Sequence, residues 1–202
     1  QASPHFPQAE QQRPIIVGFG PCGILTALLL AQMGLKPIVL ERGREVRQRT
    51  KDTWAMWRKR QLNTESNVQF GEGGAGTFSD GKLYSQVKDR RHLGRKVLSE
   101  FVKAGAPHEI LFMSKPHIGT FKLVTMVEKM RAEIIRLGGE IRFGVKVESL
   151  LREQDSDGAS QVTGLTTCSG ETLLSRHIVL AIGHSARDTF KMLLDQGVYI
   201  EP

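Results

Sequence analysis

IIVGFGPCGILTALLLAQMGLKPIVLERG, residues 15–43, decides the fold: it reads as strand, glycine turn, helix and second strand in one short unit. Gly18, Gly20 and Gly23 stand at G-x-G-x-x-G spacing, after the apolar run Ile15, Ile16, Val17 and before a helical run. The first glycine serves the tight turn, the second lets the backbone approach a pyrophosphate, and the third brings helix and strand together. Ala27 keeps that packing face small one turn on. Pro21 falls in the first turn, where its missing N–H costs no helical bond. The helix N-terminus presents unpaired N–H groups and partial positive charge to an anion. Gly34 ends the helix, and Pro37 to Leu40 rebuilds a strand. Glu41 then stands about twenty residues beyond the glycines, where a carboxylate accepts both hydroxyls of an adenosine ribose and repels a 2′-phosphate. The unit implies a dinucleotide site and leaves FAD and NAD both open.

Outward from this unit, the chain has 202 residues, 40% hydrophobic and 24% charged, the balance of a globular chain with material for a core. The longest apolar run, Ile24 to Ala31, is interrupted by Thr26 and far short of the roughly 18 residues of a membrane span. Residues 1–14 are polar and proline-rich without an apolar centre, so they read as a linker and not as a signal peptide. With no initiating Met, the chain is expected to be a piece of a longer protein. Cys22 and Cys168 lack C-x-x-C spacing, so neither a metal site nor a redox disulfide is expected, and a reducing cytoplasm is the simplest setting.

Charge is uneven. Residues 36–103 carry sixteen Lys and Arg against eight Asp and Glu, a net +8 that leaves −1 for the rest of the +7 chain. A solvated helical face is the first reading of that segment, with cofactor phosphates and nucleic acid as alternatives. Within it, Trp54 and Trp57 share one helical face with Met56 beside them, so the aromatic side is expected to pack on the core. A stacking platform for bases is the alternative.

A second glycine-dense stretch, NVQFGEGGAGTFSDGKLYS, occupies residues 67–85. Gly71, Gly73, Gly74 and Gly76 leave few side chains to clash, so the backbone can curl round an anion or lie against a ring system. The stretch has no terminal GK[ST], which disfavours nucleoside triphosphate hydrolysis. A basic helix over 90–105 and an irregular segment over 107–116 follow. Leu123, Val127, Met130, Ile134 and Leu137 form one apolar stripe of a helix over 121–137, stopped by Gly138 and Gly139. Ile141, Phe143, Val145 and Val147 alternate as one half-buried strand. A turn at 155–158, a strand at 162–167, a tight connection at Ser169 and Gly170, and a partner strand at 171–174 come next. The strand 178–182 is apolar throughout, as for a strand covered on both faces. It runs into Gly183, and Ser185 with Asp188 forms a capping pattern for a helix over 186–196.

In this order, these pieces resemble the FAD-binding domain of the glutathione-reductase-type flavoproteins. NVQFGEGGAGTFSDGKL with VLAIGHSARDTF resembles, more narrowly, a bacterial group of FAD-dependent dehydrogenases whose substrates are largely unassigned. The resemblance implies an α/β Rossmann-like FAD/NAD(P)-binding fold, with a central parallel sheet and a three-stranded antiparallel connection. It divides the chain into a linker (1–14), a first FAD-binding βαβ unit (15–50), a basic insertion with a glycine-rich flavin loop (51–116) and the remainder of the domain (117–202). It implies that FAD is bound by Gly18, Gly20, Pro21, Cys22, Gly23, Glu41, Arg42, Gly73, Gly74, Gly76, Val147 and Gly183. Val147 would meet the adenine through its backbone. The further glycine-aspartate motif with which such proteins close the site is absent before Pro202, which again fits a truncated piece.

The expected function is therefore an FAD-dependent oxidoreductase acting on a small molecule, with NAD(P)H as candidate donor. His184, His117, Lys82 and Asp80 carry suitable groups, but none is assigned as catalytic, and no metal is expected. The rivals are a non-catalytic flavin-binding or nucleic-acid-associated module, and an NAD-binding dehydrogenase.

Overall fold

The computed structural model describes residues 12–84, 88–154 and 156–201. Most of the linker (1–14), Ser85 at the end of the glycine stretch and Asp155 of the 155–158 turn lie outside the described residues.

The first unit folds as read. Strand β1 (Ile15–Val17) leads into helix α1 (Pro21–Gln32), which ends at Met33 and Gly34, and strand β2 (Ile38–Glu41) follows. Helix α2 (Val46–Lys59) runs through the boundary drawn at residue 50. After the glycine stretch come helices α3 (Leu93–Lys103) and α4 (Thr120–Arg136), then strands β3 (Glu140–Phe143), β4 (Val147–Gln154), β5 (Ser160–Thr167), β6 (Thr172–Leu174) and β7 (Ile178–Leu180), and helix α5 (Arg187–Asp195). Strands β3, β2, β1 and β7 pair in that order, all parallel, while β4, β5 and β6 form a separate antiparallel sheet.

Side-chain alternation along β1 and β2 divides the core into two layers. Ile16 and Val39 face α1 and the Leu123–Ile134 stripe of α4. Ile15, Val17, Ile38 and Leu40 face the antiparallel sheet through Val147, Leu150 and Leu165, and α5 through Leu193. The parallel sheet is thus a filling between helices and a second sheet, the three-layer arrangement expected when both faces of short apolar strands must be covered.

Three local expectations are corrected. The alternating run from Ile141 to Val147 is two strands. Gly144, at φ +70°, turns the chain out of the parallel sheet, so Ile141 and Phe143 pack in one layer and Val145 in the other. The strand at 178–182 lies at the sheet edge and is only partly buried, with Leu180 exposed. Trp54 and Trp57 do not face the core. They are 46% and 57% exposed, and α2 buries Val46, Arg49 and Thr53 instead. The tryptophans make an edge-to-face chain with each other and with Phe78, and Arg58 covers the Trp54 ring at 4.1 Å. Both cysteines are free, and among the described residues no helix is long and apolar enough to cross a membrane.

Candidate functional site

A cleft of about 790 Å³ opens at the carboxyl ends of β1, β2 and β7, between the glycine turn, the glycine-rich loop and the start of α5. This is where ligands sit in open α/β sheets, because strand ends and helix N-termini converge there.

Its floor is the turn from Val17 to Cys22. Gly18 has φ +101°, and a Cβ there would run into the Ala181 carbonyl oxygen, so the turn requires glycine twice over. Gly23 lies beneath the floor, packed on the Gly18 carbonyl, and does the helix–strand job expected of the third glycine. Gly20 is the N-cap of α1 and supplies no side-chain cap bond, nor is there an acidic residue in the first turn. The first-turn N–H groups therefore have no intrahelical acceptor and no capping side chain, which makes this lip a receptor for anionic oxygens.

Across the cleft stands the loop 71–76. Gly74 faces Gly20 so closely that a Cβ on Gly20 would lie 3.6 Å from the Gly74 Cα. Gly71, Gly74, Ala75 and Gly76 line the cleft. Gly73 does not: its backbone N–H binds the Phe19 carbonyl at 2.9 Å, and its Cα faces Thr77 in the interior. Gly71, absent from the expected set, takes its place in the wall, and only the long-range approach of the loop to β2 reveals this.

Glu41 lines the cleft at the end of β2 and is 5% exposed. Its Oε2 accepts the Phe19 N–H at 2.7 Å, and Oε1 accepts the N–H groups of Gly43 at 2.8 Å and Gly71 at 3.0 Å. A carboxylate offers about four lone-pair positions, so three bonds leave roughly one, on Oε2.

Arg42 is committed to a network at one rim. Its Nε donates to Glu65 at 2.7 Å and its two Nη atoms fork onto Asp188 at 3.0 Å each, while the guanidinium covers the Phe70 ring at 4.2 Å. Lys146 adds an ion pair to Asp188 at 2.7 Å. Burial alone would lower the Arg42 pKa, but the bonds from Glu65 and Asp188 outweigh it and raise it. The Asp188 carboxyl is held well below the usual range, first by the Arg42 bond and then by Lys146. The expected capping pattern at α5 is thereby corrected. Ala186 is the N-cap, no side-chain cap bond forms, and the Asp188 carboxylate is drawn to Arg42.

Pro21, Cys22, Val147 and Gly183 also line the cleft, with His184 and Ser185 beside Gly183. Eleven of the twelve expected residues meet at this place or directly beneath it, Gly73 being the exception by orientation. Lys82, Asp80 and His117 lie elsewhere: Lys82 pairs with Asp80 at 3.7 Å and forms a backbone bridge with His117. Among the described residues no cluster of His, Cys, Asp or Glu could hold a metal ion.

No family model matches the chain. It is 49% identical over 189 residues to an "Uncharacterized protein" of Clostridium beijerinckii, a match that covers 94% of this chain and 34% of that protein. The chain thus spans about a third of the length of that curated relative. Among solved structures it is similar to Thermovibrio ammonificans THI4, with a TM-score of 0.62 and 19% identity over 94% of this chain and 64% of that one. It is also similar to L-proline dehydrogenase from P. horikoshii, with a TM-score of 0.55 and 12% identity over 91% and 56% of the two chains. A third, the 3-ketosteroid-delta4-(5alpha)-dehydrogenase of Rhodococcus jostii RHA1, has a TM-score of 0.50 and 13% identity over 88% and 47%. The shared feature is the fold. The chain shares their Rossmann-like α/β architecture.

Proposed function

We propose that the cleft binds FAD and that the chain is the cofactor-binding part of an FAD-dependent oxidoreductase, of the substrate-unassigned bacterial group that the glycine-rich motif resembles. One observation carries the reading: the uncapped N-terminus of α1, a glycine-rich loop that touches it and a buried carboxylate at the end of β2 line one cleft. The residues fit the group. The first-turn N–H groups of α1 receive the pyrophosphate, and the contact between Gly20 and Gly74, which a side chain on Gly74 would force apart, closes the cleft beside it. Glu41 accepts a ribose hydroxyl through the free position on Oε2, fixed in place by three backbone N–H groups. Val147, at the start of β4, lines the same cleft and would meet the adenine through its backbone, while Gly76 and Gly183 also line it and would pass close to the cofactor.

FAD supplies hydride and electron transfer when bound, and the protein supplies placement, electrostatics and exclusion of water. No side chain is assigned as an acid or base. The substrate is a small molecule, NAD(P)H is the candidate donor, and a reducing cytoplasm is the setting that the unpaired cysteines support. The test is the visible spectrum of the full-length protein before and after NADH and NADPH are added separately. Flavin absorbance bleached by one of them is expected. A colourless protein that takes up no added FAD overturns the proposal, and flavin that neither donor reduces moves the reading to a substrate-driven or non-catalytic role.

A further inference from the structure

Arg49 is fully buried near the N-terminal end of α2, where Val46 and Thr53 are the helix's other buried residues. A buried guanidinium normally faces a carboxylate. Arg49 instead spends its donors on backbone and one hydroxyl of the glycine-rich loop. Nε donates to the Asn67 carbonyl at 2.8 Å, Nη2 to the Val68 carbonyl at 2.9 Å, and Nη1 to the Glu72 carbonyl at 2.7 Å and the Thr77 hydroxyl at 3.2 Å. Its stem lies against Gly71, whose Cα admits no Cβ beside the Arg49 Cδ, and its guanidinium faces the Phe78 ring at 4.8 Å. One side chain thus holds both ends of the segment 67–78 from behind.

The front of the same segment is the cleft wall. The Gly71 N–H reaches Glu41, the Gly73 N–H reaches the Phe19 carbonyl, and Gly74 faces Gly20. Glycine-dense backbone has the largest conformational freedom to lose on ordering. Inward-facing carbonyls at a buried position also cost free energy unless a donor meets them. A planar fork that serves three carbonyls in different directions solves both problems, and a single ammonium cannot. Burial pushes the Arg49 pKa down to about 10, with Glu41 and Glu72 opposing the shift, so the group keeps its charge near neutrality.

We propose that Arg49 is the positioning residue that holds the loop 67–77 in its cofactor-receiving shape before the cofactor arrives, so the cleft is preformed and does not close around its ligand. This rests on the FAD reading for its ligand, while its structural half can be read without any ligand. The experiment compares wild type, Arg49→Lys and Thr77→Val by amide hydrogen exchange of the cofactor-free full-length protein and by titration with FAD. In Arg49→Lys, exchange is expected to rise across 67–77 while the amides of β4 and β5 keep their protection. The FAD Kd should rise about tenfold or more, the worth of one buried hydrogen bond left unmade. Thr77→Val removes the acceptor of one Arg49 bond, together with the hydroxyl's own bond to the Gly74 carbonyl at 3.0 Å, and should show the same pattern with a rise of about two- to fivefold.

Unchanged loop exchange with a Kd within twofold of wild type overturns the proposal. So does exchange that rises equally in β4 and β5, because that marks general loss of structure. If Arg49→Lys does not fold, Thr77→Val decides by the same two readouts. A wild-type protein that ignores FAD sinks the functional reading alone, since the exchange comparison still reports whether Arg49 holds the loop.

Discussion

The Phe19 N–H donates to Glu41 Oε2 at 2.7 Å, across twenty-two positions of sequence, and so joins the glycine turn after β1 to the end of β2. The other carboxylate oxygen gathers the N–H groups of Gly43 and Gly71. Glu41 is therefore a junction for the turn, the strand end and the glycine-rich loop, as well as a candidate ligand for the ribose.

Replacing Glu41 should consequently harm the fold and the site together. Glu41→Ala leaves three buried N–H groups unmet and should lower stability by about 2–4 kcal/mol, read as a shift in the urea midpoint. Glu41→Gln keeps the volume but turns one oxygen into a donor that faces other donors, so it should recover less than half of the loss. FAD affinity should fall in both variants. A Gln variant as stable as wild type would show that the three bonds carry little.

The first unit was legible because its parts are local: an apolar run, glycines at fixed spacing, a helix stop and a terminal acid lie within residues 15–43. The stripe of α4 was legible for the same reason. Arg49 was not, because in sequence it is one of many cations and the tryptophans dominate the helix. The available signal was the spacing of Val46, Arg49 and Thr53, one stripe at i, i+3 and i+7 with a cation at its centre. What selects that face is the glycine-rich loop packed against it, which needs donors for its carbonyls more than it needs apolar cover. The sheet change at Gly144 was hidden because alternation continues through it, with successive pairs serving different layers.

Asp188 should govern acid sensitivity at the rim of the cleft. Its folded-state pKa is depressed, chiefly by Arg42, so its contribution to stability is complete above the ordinary value of 3.8 and is lost as pH falls through the folded value. The side chain is 43% exposed, so solvent screening limits the contribution to about 1 kcal/mol. Asp188→Asn should remove that increment at neutral pH and leave a flatter stability curve below pH 4 than wild type. Chemical denaturation from pH 7 to pH 3 checks both, and parallel curves would refute the assignment.

Glu72 should act in the opposite sense. It is fully buried, its Oε2 accepts the Val46 N–H at 2.7 Å, and its Oε1 makes no hydrogen bond, with Arg131 Nε at 3.4 Å. Burial raises its pKa above 4.5, against the Val46 bond and Arg131. A raised folded-state pKa means that the contribution to stability is complete below 4.5 and is lost as pH rises through the folded value. Glu72→Gln, which cannot ionise, should lack that decline and gain on wild type between pH 4.5 and pH 7. A difference that stays constant over this range would count against a raised value.

Gly18 and Gly20 should separate folding from binding. Gly20 has φ −78°, which any residue adopts, and a Cβ there meets the Gly74 Cα at an ordinary 3.6 Å. Gly20→Ala should therefore stay within about 1 kcal/mol of wild-type stability, because a weaker N-cap is offset by a less flexible unfolded chain. The added methyl group would nonetheless stand at the lip of the α1 N-terminus, beside the place proposed for the pyrophosphate. FAD affinity should fall by about tenfold or more, since backbone contact with a phosphate tolerates little displacement. Gly18→Ala, by contrast, puts a Cβ into the Ala181 carbonyl at a positive φ and should destabilise the protein before any ligand is added. Paired urea melts and FAD titrations distinguish the two variants. If Gly20→Ala bound FAD as tightly as wild type, the anion could not lie against the backbone at Gly20, and the cofactor reading of the cleft would lose its main support.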